Sequence, residues 1–376
     1  MELDPELLRR IRARAAGYDR ANAFFDEDLA ELRAAGYLRV RPLLETARDQ
    51  RRLAAHAPAT ALGINMHLVW VGVARTLRDR GDRSLDGVLR DAEAGELFAF
   101  GLSEPGNDLV LWDSATVAER VDPSPGSGAA SGWAFRGTKV FTSLAPAWTR
   151  LGVFGRAETP DGPRLVHGFL TREDPGVTTL DDWDALGMRA TQSRTTVLDG
   201  AVVPDERVSR ILPVGPNADP FVFAVFANFL LLIGSVYAGI ADRALELAVE
   251  AVQGRRSRAT GRSYAQDRDL RWRLADAALA LDALAPDLES LAADVDALAD
   301  RGAAWFRLLT GAKHRATETA RVVVDHALRA AGGAGYRGSA ELSRLQRDVL
   351  AGVFHPSDTE SVHATVAASL LGPLEP

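Results

Sequence analysis

The stretch FVFAVFANFLLLIGSVYAGI, residues 221–240, decides what kind of fold this chain adopts. It carries no charged side chain, and about 20 apolar residues are enough to cross a bilayer as a helix. The stretch continues without a break into ADRALELAVEAV, residues 241–252, where apolar residues recur at helical spacing and charges fall on one face. This continuation favours the buried half of one long bundle helix over a membrane span.

Outward from this helix the sequence predicts three domains, in the order α, β, α. Residues 213–376 hold long Ala- and Leu-rich segments with helical periodicity, and residues 1–95 show helical patterns with typical start and stop residues. Residues 96–212 consist instead of short apolar runs separated by Gly, Pro and Asp, which is typical of β-strands.

Composition narrows the functional classes. The chain has 376 residues, of which 47% are hydrophobic, so a large core is available. A net charge of -7 argues against a nucleic-acid partner. The absence of cysteine excludes disulfides, a thiol nucleophile and a Cys-ligated metal, and no metal site is predicted. The N-terminal segment lacks the basic and apolar regions of a secretory signal, so we expect a cytoplasmic enzyme that is not held in a membrane.

Five short motifs follow one another along the predicted elements, and each is weak evidence when taken alone. They are GLSEPGND (residues 101–108), GTKVFTS (137–143), LGMRAT (186–191), GGAGY (332–336) and the Arg-Asp pair at 347–348. In this order they resemble the acyl-CoA dehydrogenase fold superfamily. The resemblance implies an α+β fold with an N-terminal helical domain, a middle β-barrel and a C-terminal four-helix bundle. It further implies a homotetramer, built as a dimer of dimers, in which a flavin lies between barrel and bundle and is completed by a neighbouring subunit.

The resemblance also implies a set of cofactor-binding residues. They are Leu102, Ser103, Asp108, Phe141, Ser143, Arg255, Gly332 and Gly333. Ser103 and the backbone beside it would serve the O2/N1 edge of the flavin ring, Ser143 would lie near N5, and Phe141 would pack on the ring. Ordinary roles compete with these, because a serine at a strand end commonly bonds its own backbone and a phenylalanine commonly lies in the core.

The sequence departs from the dehydrogenases at the catalytic base. Removing the α-proton of a thioester needs a carboxylate held over that carbon. In the commonest branch this glutamate follows the Arg-Asp pair by about eight residues, a position that His355 takes here. The other known base position falls near Phe229 and Leu230, which are also not carboxylates. Only Asp358 or Glu360 would be close enough in sequence to act as a displaced base.

These departures resemble the two-component flavin-dependent monooxygenases, which include dibenzothiophene monooxygenases, aromatic hydroxylases and aminosugar N-oxygenases. The resemblance implies catalytic roles for His355, Ser143 and His67. Arg189, in the LGMRAT motif, is expected to face the pocket and contact the substrate. Reduced flavin and O2 give a C4a-hydroperoxide, which survives only among hydrogen-bond donors in a dry pocket, and imidazole and hydroxyl groups are such donors. His67 also fits a satisfied core histidine, and Arg189 also fits a partner of a barrel carboxylate.

The sequence also bears on which flavin is bound and on what reduces it. Arg255 is retained, but the Phe and Gly that follow it in dehydrogenases are not, so FMN or loosely held reduced FAD is expected. The Gly-x-Gly-x-x-Gly spacing at residues 333–338 follows a helical segment and not a predicted strand, so it is not a Rossmann-type dinucleotide fingerprint, and we expect a separate flavin reductase as partner. The leading prediction is an oxygenase component acting on a small organic molecule. An acyl-CoA or acyl-carrier dehydrogenase with a displaced base and a flavin-free scaffold stay open as alternatives.

Overall fold

The computed structural model describes residues 3–109, 111–122 and 131–372. Within these ranges the elements follow the predicted order of helices, strands and helices. The helices are α1 (Pro5–Ala21), α2 (Asp26–Ala34), α3 (Leu43–Ala54), α4 (Pro58–Asp79), α5 (Asp86–Glu93), α6 (Pro220–Gln253), α7 (Arg268–Asp282), α8 (Leu284–Asp296), α9 (Ala304–Ala331), α10 (Glu341–Val349) and α11 (Thr359–Leu371). The strands are β1 (Phe98–Gly101), β2 (Val117–Val121), β3 (Gly132–Thr142), β4 (Arg150–Ala157), β5 (Arg164–Thr171), β6 (Val177–Thr179), β7 (Arg194–Pro204) and β8 (Val208–Pro213).

Two helices begin with the same Asp-Pro pair. Asp4 precedes Pro5 at the start of α1, and its side chain accepts a backbone N–H of the first turn. Asp219 precedes Pro220 at the start of α6 and accepts from the N–H of Phe221 at 2.8 Å. Proline is pre-organised for a first helical position, and the aspartate satisfies a donor that has no partner within the helix. These local signals define where the two helices start.

The strands form a mixed sheet of eight members. The hydrogen-bonded order is β6-β7-β3-β2-β4-β5-β8, and β1 pairs in parallel with β4. The pairing path runs from β6 to β8, and this mixed sheet lies between the two helical parts of the chain, as the predicted fold class requires. Between Lys139 and Thr142 the register of β3 on β7 shifts. Such an irregularity re-aims side chains at a strand end, and this one lies beside the cavity described below.

Helix α6 is the centre of the helical layer. It packs on α3 and α4 on one side and on α9 on the other, and α6, α7, α8 and α9 form the predicted four-helix bundle. Its length and composition would allow it to cross a membrane, but 89% of its most apolar window is buried inside the protein. The apolar stretch is therefore a core helix, as its amphipathic continuation predicted.

Trp70 of α4 joins the helical layer to the sheet. Its indole N–H donates to the carbonyl of Ala99 at 2.9 Å, and its ring packs against Phe100 and Phe221 at centroid distances of 5.1 and 6.3 Å. Gly152 of β4 makes room for it, because a Cβ there would lie 2.3 Å from the indole ring. Helix α4 thus sits directly on the sheet at the strand ends that border the cavity.

The end of α8 holds the start of α3. The carboxylate of Asp296 accepts from the backbone N–H groups of Leu43 and Leu44 at 2.9 and 3.0 Å, and it also pairs with Arg75 of α4. A carboxylate at a helix N-terminus satisfies free donors and interacts favourably with the helix dipole. The N-terminal helices are thereby joined to the bundle through one side chain.

Candidate active site

A cavity of about 260 Å³ lies where α4, the ends of β1 and β3, helix α6 and the segment after α10 meet. Its walls are mainly apolar, and five of the lining residues are aromatic: Phe100, Phe141, Trp183, Phe229 and Phe354. Its polar side chains are Ser103, Ser143, Thr191, Ser193, Arg347 and His355. Among the described lining residues none is an aspartate or a glutamate. The cavity is close to the lower end of the roughly 300–1,000 Å³ that small-molecule sites occupy.

His355 reaches the cavity from the segment that follows α10. Its Nε2 lies 2.7 Å from the phenolic oxygen of Tyr237 on α6. Desolvation, reinforced by the charge of Lys313, lowers the pKa of His355 to about 3, so the imidazole is neutral near pH 7. Burial raises the pKa of Tyr237 well above its ordinary value, so the phenol stays protonated. With the phenol as donor to Nε2, the imidazole carries its own proton on Nδ1.

Lys313 holds the segment that carries His355. This buried lysine of α9 donates from Nζ to the carbonyls of Gly352, His355 and Ser357 at 3.1, 3.3 and 2.9 Å. Burial lowers its pKa to about 8, with the charge of Asp358 acting in the opposite direction. One ammonium therefore satisfies three backbone acceptors and fixes the backbone on which the imidazole stands.

Ser143 starts a chain of hydroxyl groups at the edge of the cavity. Its Oγ lies 2.7 Å from Oγ of Ser193, and Ser193 Oγ lies 2.7 Å from Oγ1 of Thr191. Thr191 donates to the carbonyl of Met188 at 2.9 Å. All three hydroxyl-bearing residues are buried and line the cavity. The register shift in β3 brings Ser143 opposite the start of β7, where Ser193 lies.

Phe141 projects into the cavity from a strained backbone. Its φ is 56°, in the left-handed region that side chains rarely adopt, and 60% of its surface is exposed. Its ring meets Trp183 edge to face with centroids 6.3 Å apart. Trp183 is itself held by a hydrogen bond from its indole N–H to the carbonyl of Arg189 at 2.9 Å. Strain of this kind concentrates at functional positions, and here it aims an aromatic wall at the cavity.

The Arg-Asp motif docks the LGMRAT loop onto the bundle. Arg347 donates to the carbonyl of Leu186 at 3.0 Å, and Asp348 accepts from the N–H of Met188 at 2.6 Å. Gly187 lies so close that a Cβ would stand 2.2 Å from the Arg347 carbonyl oxygen. Burial raises the pKa of Asp348 to about 6, and the charge of nearby Arg344 opposes that shift. Two motifs far apart in sequence thus build one side of the cavity.

The structure corrects the expectation for His67. The residue is buried, and Nε2 lies 2.9 Å from the carbonyl of Leu38 while Nδ1 accepts from the N–H of Phe98 at 3.3 Å. Desolvation lowers its pKa to about 4. Both ring nitrogens are occupied by backbone partners and the side chain is outside the cavity lining. It is a satisfied core histidine, so a catalytic role for it is not supported.

Arg189 is also corrected. Its Nε donates to the carbonyl of Asp19 at 2.8 Å and its Nη1 donates to the carbonyl of Ala185 at 3.2 Å. The guanidinium therefore fastens the LGMRAT loop to the end of α1, and it is not among the residues that line the cavity. The substrate contact predicted for this arginine is not supported.

The remaining cofactor candidates lie outside the cavity lining. Leu102 is fully buried in the core, and Asp108 is exposed on the following loop. Arg255 donates to the last carbonyls of α9, next to Gly332, whose φ is 64°, and Gly333. Their predicted contact with the flavin tail, or with a flavin shared between subunits, stays a prediction.

The displaced-base alternative has no geometric support in this chain. Asp358 is the N-cap of α11 and accepts from the N–H of Ser361 at 2.9 Å. Glu360 is exposed in the first turn of the same helix. Neither lines the cavity, and the other base position is taken by Phe229, whose ring stacks on Phe100 at 5.5 Å.

Sequence reasoning missed four residues that organise the site: Tyr237, Lys313, Ser193 and Thr191 in its hydroxyl role. A usable signal existed for two of them. Tyr237 lies on a helix face of Ile, Leu, Gly and Ala, and Lys313 is the one charged side chain on a face whose other members are Leu, Ala and Thr. A phenol or an ammonium buried on such a face needs a partner, which is a reason to search for one.

The family model and the similar proteins of known function point to the same superfamily. A family model described as "Acyl-CoA dehydrogenase, C-terminal domain" matches residues 231–357. The L-evernosamine nitrososynthase of a Micromonospora species is 31% identical over 93% of this chain and 84% of its own length. The dibenzothiophene monooxygenase of Mycolicibacterium goodii is 30% identical over 66% of this chain and 61% of its own.

A solved structure gives the same result in three dimensions. KijD3, in complex with FMN and a dTDP-linked 3-amino-4-keto sugar, superposes with a TM-score of 0.84. The match has 28% identity and covers 98% of this chain and 92% of that one. The chain belongs to the acyl-CoA dehydrogenase fold superfamily, on the side of its flavin-dependent monooxygenases.

Proposed function

We propose that this chain is the oxygenase component of a two-component flavin monooxygenase. It would receive reduced flavin from a separate reductase and transfer one oxygen atom of O2 to a small organic substrate. One observation carries the proposal: the described cavity lining contains a neutral imidazole and no carboxylate. A thioester dehydrogenase needs the carboxylate as base, whereas oxygen transfer needs hydrogen-bond donors in a dry cavity.

The cavity suits a flavin ring. Phe141 and Trp183 offer aromatic surface to a flat heterocycle, while Ser103 and Ser143 offer hydroxyls to the polar edge of such a ring. When bound in its reduced form, the flavin supplies the electrons that activate O2. FMN is favoured over FAD, because this chain lacks the stacking Phe next to Arg255 that would hold an adenine.

The protein's own residues would then control protons and water. His355 is neutral, its Nε2 is bonded to Tyr237, and its Nδ1 proton is the one left to donate to an oxygen in the cavity. Phe229, which is buried, contributes apolar wall that limits water near that proton. His355 would therefore both stabilise the reacting oxygen and return a proton when the transfer is complete.

We expect the accepting atom of the substrate to be an amine nitrogen. A cavity that contains the guanidinium of Arg347 and no carboxylate offers no counter-ion to an ammonium group and so favours the neutral amine. Only the neutral amine has the lone pair that attacks an electrophilic oxygen. The similarity to a nitrososynthase over most of both chains supports the same choice.

Assembly is the second part of the proposal. Helix α7 buries few of its side chains within the described chain, and Trp272 and Leu279 are 68% and 74% exposed. Large apolar side chains left on one helix face fit a homo-oligomer contact. In such an assembly the Arg255 and Gly332 region would complete a neighbouring subunit's cofactor site. A soluble, cytoplasmic enzyme is the setting that we propose.

The proposal is tested with purified full-length protein. We expect anaerobic titration with reduced FMN to show saturable binding, and admission of O2 with an amino-sugar nucleotide to give a product that carries an added oxygen by mass spectrometry. Bleaching of an oxidised flavin by an acyl-CoA under anaerobic conditions would support the dehydrogenase instead. Failure to bind flavin in either redox form would support the flavin-free scaffold.

A further inference from the structure

The hydroxyl groups of Ser143, Ser193 and Thr191 have one consistent hydrogen-bond direction. Three hydrogen bonds link them to each other and to the carbonyl of Met188, at 2.7, 2.7 and 2.9 Å. Each hydroxyl has one proton, and a carbonyl only accepts. Thr191 must therefore donate to Met188, Ser193 to Thr191, and Ser143 to Ser193. Any other assignment leaves two oxygens in contact without a proton between them.

The backbone keeps this direction in place. The carbonyl of Met188 also accepts from the N–H of Thr191 at 3.0 Å, and the carbonyl of Thr191 accepts from the N–H of Leu144 at 3.2 Å. The distal end of the hydroxyl chain is thus anchored on a fixed acceptor. Since its only proton is committed to Ser193, the hydroxyl of Ser143 presents lone pairs to the cavity.

We propose that this hydroxyl chain makes the cavity select reduced flavin over oxidised flavin. The inference rests on the proposed function, with the ring's central nitrogen edge against Ser143. Two-electron reduction adds a proton at N5, which changes that nitrogen from an acceptor into an N–H donor. The lone pairs of Ser143 accept from this N–H, whereas they face another lone pair when the ring is oxidised.

The hydroxyl of Ser103 does not contribute to the preference for reduced over oxidised flavin. Within the described part of the chain its hydroxyl has no hydrogen-bond partner in the protein, and the residue is only half-buried. A hydroxyl without a committed proton turns to donate or to accept as the ligand requires. The redox preference therefore comes from the anchored chain, which is the property that the variants below remove.

The measurement is the ratio of the dissociation constants of oxidised and reduced FMN for the full-length protein. Oxidised FMN is followed by fluorescence quenching, and reduced FMN is titrated anaerobically. Thr191→Val frees the proton of Ser193 to point back to Ser143, so that Ser143 can donate to the cavity. We expect the preference for reduced FMN to fall about fivefold to tenfold, the size of one hydrogen bond. Ser193→Ala releases the proton of Ser143 directly and is expected to act alike.

Two controls separate this effect from general damage. Thr191→Ser keeps the hydroxyl and is expected to retain the wild-type ratio. Thr310→Val removes a buried threonine hydroxyl that bonds the Phe306 carbonyl in α9, away from the cavity, and is also expected to retain it. As an independent readout, a tenfold loss of preference lowers the midpoint potential of the bound flavin by about 30 mV for a two-electron couple.

The outcomes are distinct. Equal ratios in wild type, Thr191→Val and Ser193→Ala, with both redox forms bound, would overturn the inference and leave the proposed function standing. Weaker binding of both forms by the same factor would also overturn it, because the hydroxyl chain would then be only structural. Absence of binding of either form to the wild-type protein would overturn the proposed function together with the inference.

Discussion

The phenolic oxygen of Tyr237 lies 2.7 Å from Nε2 of His355 and connects the core helix α6 to the segment after α10. Tyr237 is fully buried, so its hydroxyl depends on this partner. The contact orients the imidazole and, with the phenol as donor, selects the tautomer that has its proton on Nδ1.

Tyr237→Phe removes that hydroxyl and keeps the ring. We expect the free energy of unfolding to fall by about 1 kcal/mol, and more hydrogen peroxide to be released per product because the imidazole is no longer oriented. Chemical denaturation and a peroxide assay measure the two effects. Tyr37→Phe is the matched control, because the hydroxyl of Tyr37 is buried on Gln50 outside the cavity. Equal peroxide release in both variants would show that the hydroxyl of Tyr237 does not orient the imidazole for the reaction.

His355→Ala tests the proton donor itself. We expect the affinity for reduced flavin to be nearly unchanged, while the free energy of unfolding falls by about 1–3 kcal/mol because the buried hydroxyl of Tyr237 loses its partner. Peroxide released without product is expected to rise by about tenfold, the effect of losing on the order of 1.4 kcal/mol of stabilisation. His363→Ala, at an exposed position of α11, serves as control. Unchanged coupling would exclude His355 from the mechanism.

Lys313→Met removes the ammonium that holds the same segment. Three carbonyls lose a charged donor, so we expect the free energy of unfolding to fall by on the order of 2–3 kcal/mol. Hydrogen-exchange mass spectrometry is expected to show faster exchange at residues 350–357 than in the wild type. Peptides from α4 provide the internal reference. Wild-type exchange at 350–357 would show that the segment is held by other contacts.

Asp348→Asn tests the buried carboxyl through pH. The pKa of Asp348 is raised from 3.8 to about 6, so its contribution to stability is present below pH 3.8 and is lost as the pH rises through 6. The asparagine keeps the oxygen that accepts from Met188 but cannot ionise. We therefore expect the wild type to lose on the order of 2 kcal/mol relative to the variant between pH 4 and pH 7. Parallel pH profiles of unfolding would contradict the raised pKa.

Gly187→Ala tests the contact between the LGMRAT loop and the Arg-Asp motif. The new Cβ would stand 2.2 Å from the backbone carbonyl oxygen of Arg347, which no side-chain rotation relieves. We expect a loss of about 1–3 kcal/mol in the free energy of unfolding and weaker flavin binding. Gly17→Ala in α1 has open space around its Cβ and is expected to stabilise the protein by up to about 1 kcal/mol. A neutral Gly187→Ala would show that the loop shifts freely.

The order of elements and the nature of α6 were predictable because they rest on local patterns. Hydrophobic periodicity continues past residue 240, and Asp-Pro pairs precede the starts of α1 and α6. The order of the strands in the sheet was not predictable in the same way. It depends on which strands pair, for example β2 beside β4 and β3 beside β7, and no residue type signals that choice.

For the candidate site, too, some of the predictions agree with the structure and others do not. Ser103, Phe141, Ser143 and His355 do meet in one cavity, while their roles stay predictions. His67 was expected to serve the site because of the resemblance to the flavin monooxygenases, and Arg189 because it lies in the LGMRAT motif. Their partners, the carbonyls of Leu38 and Asp19, are backbone groups distant in sequence. Every residue has a backbone carbonyl, so the sequence does not show which carbonyl a side chain will bind. A side chain held in this way therefore cannot be distinguished from a catalytic one by sequence alone.

The carboxylate of Asp296 has a practical consequence for building chimaeric enzymes. Because it supplies acceptors to the N–H groups of Leu43 and Leu44, a hybrid that swaps only the C-terminal bundle would deprive α3 of its cap unless an acidic residue occupies position 296. Recombination of relatives to alter substrate range should therefore treat the start of α3 and the end of α8 as one exchangeable unit.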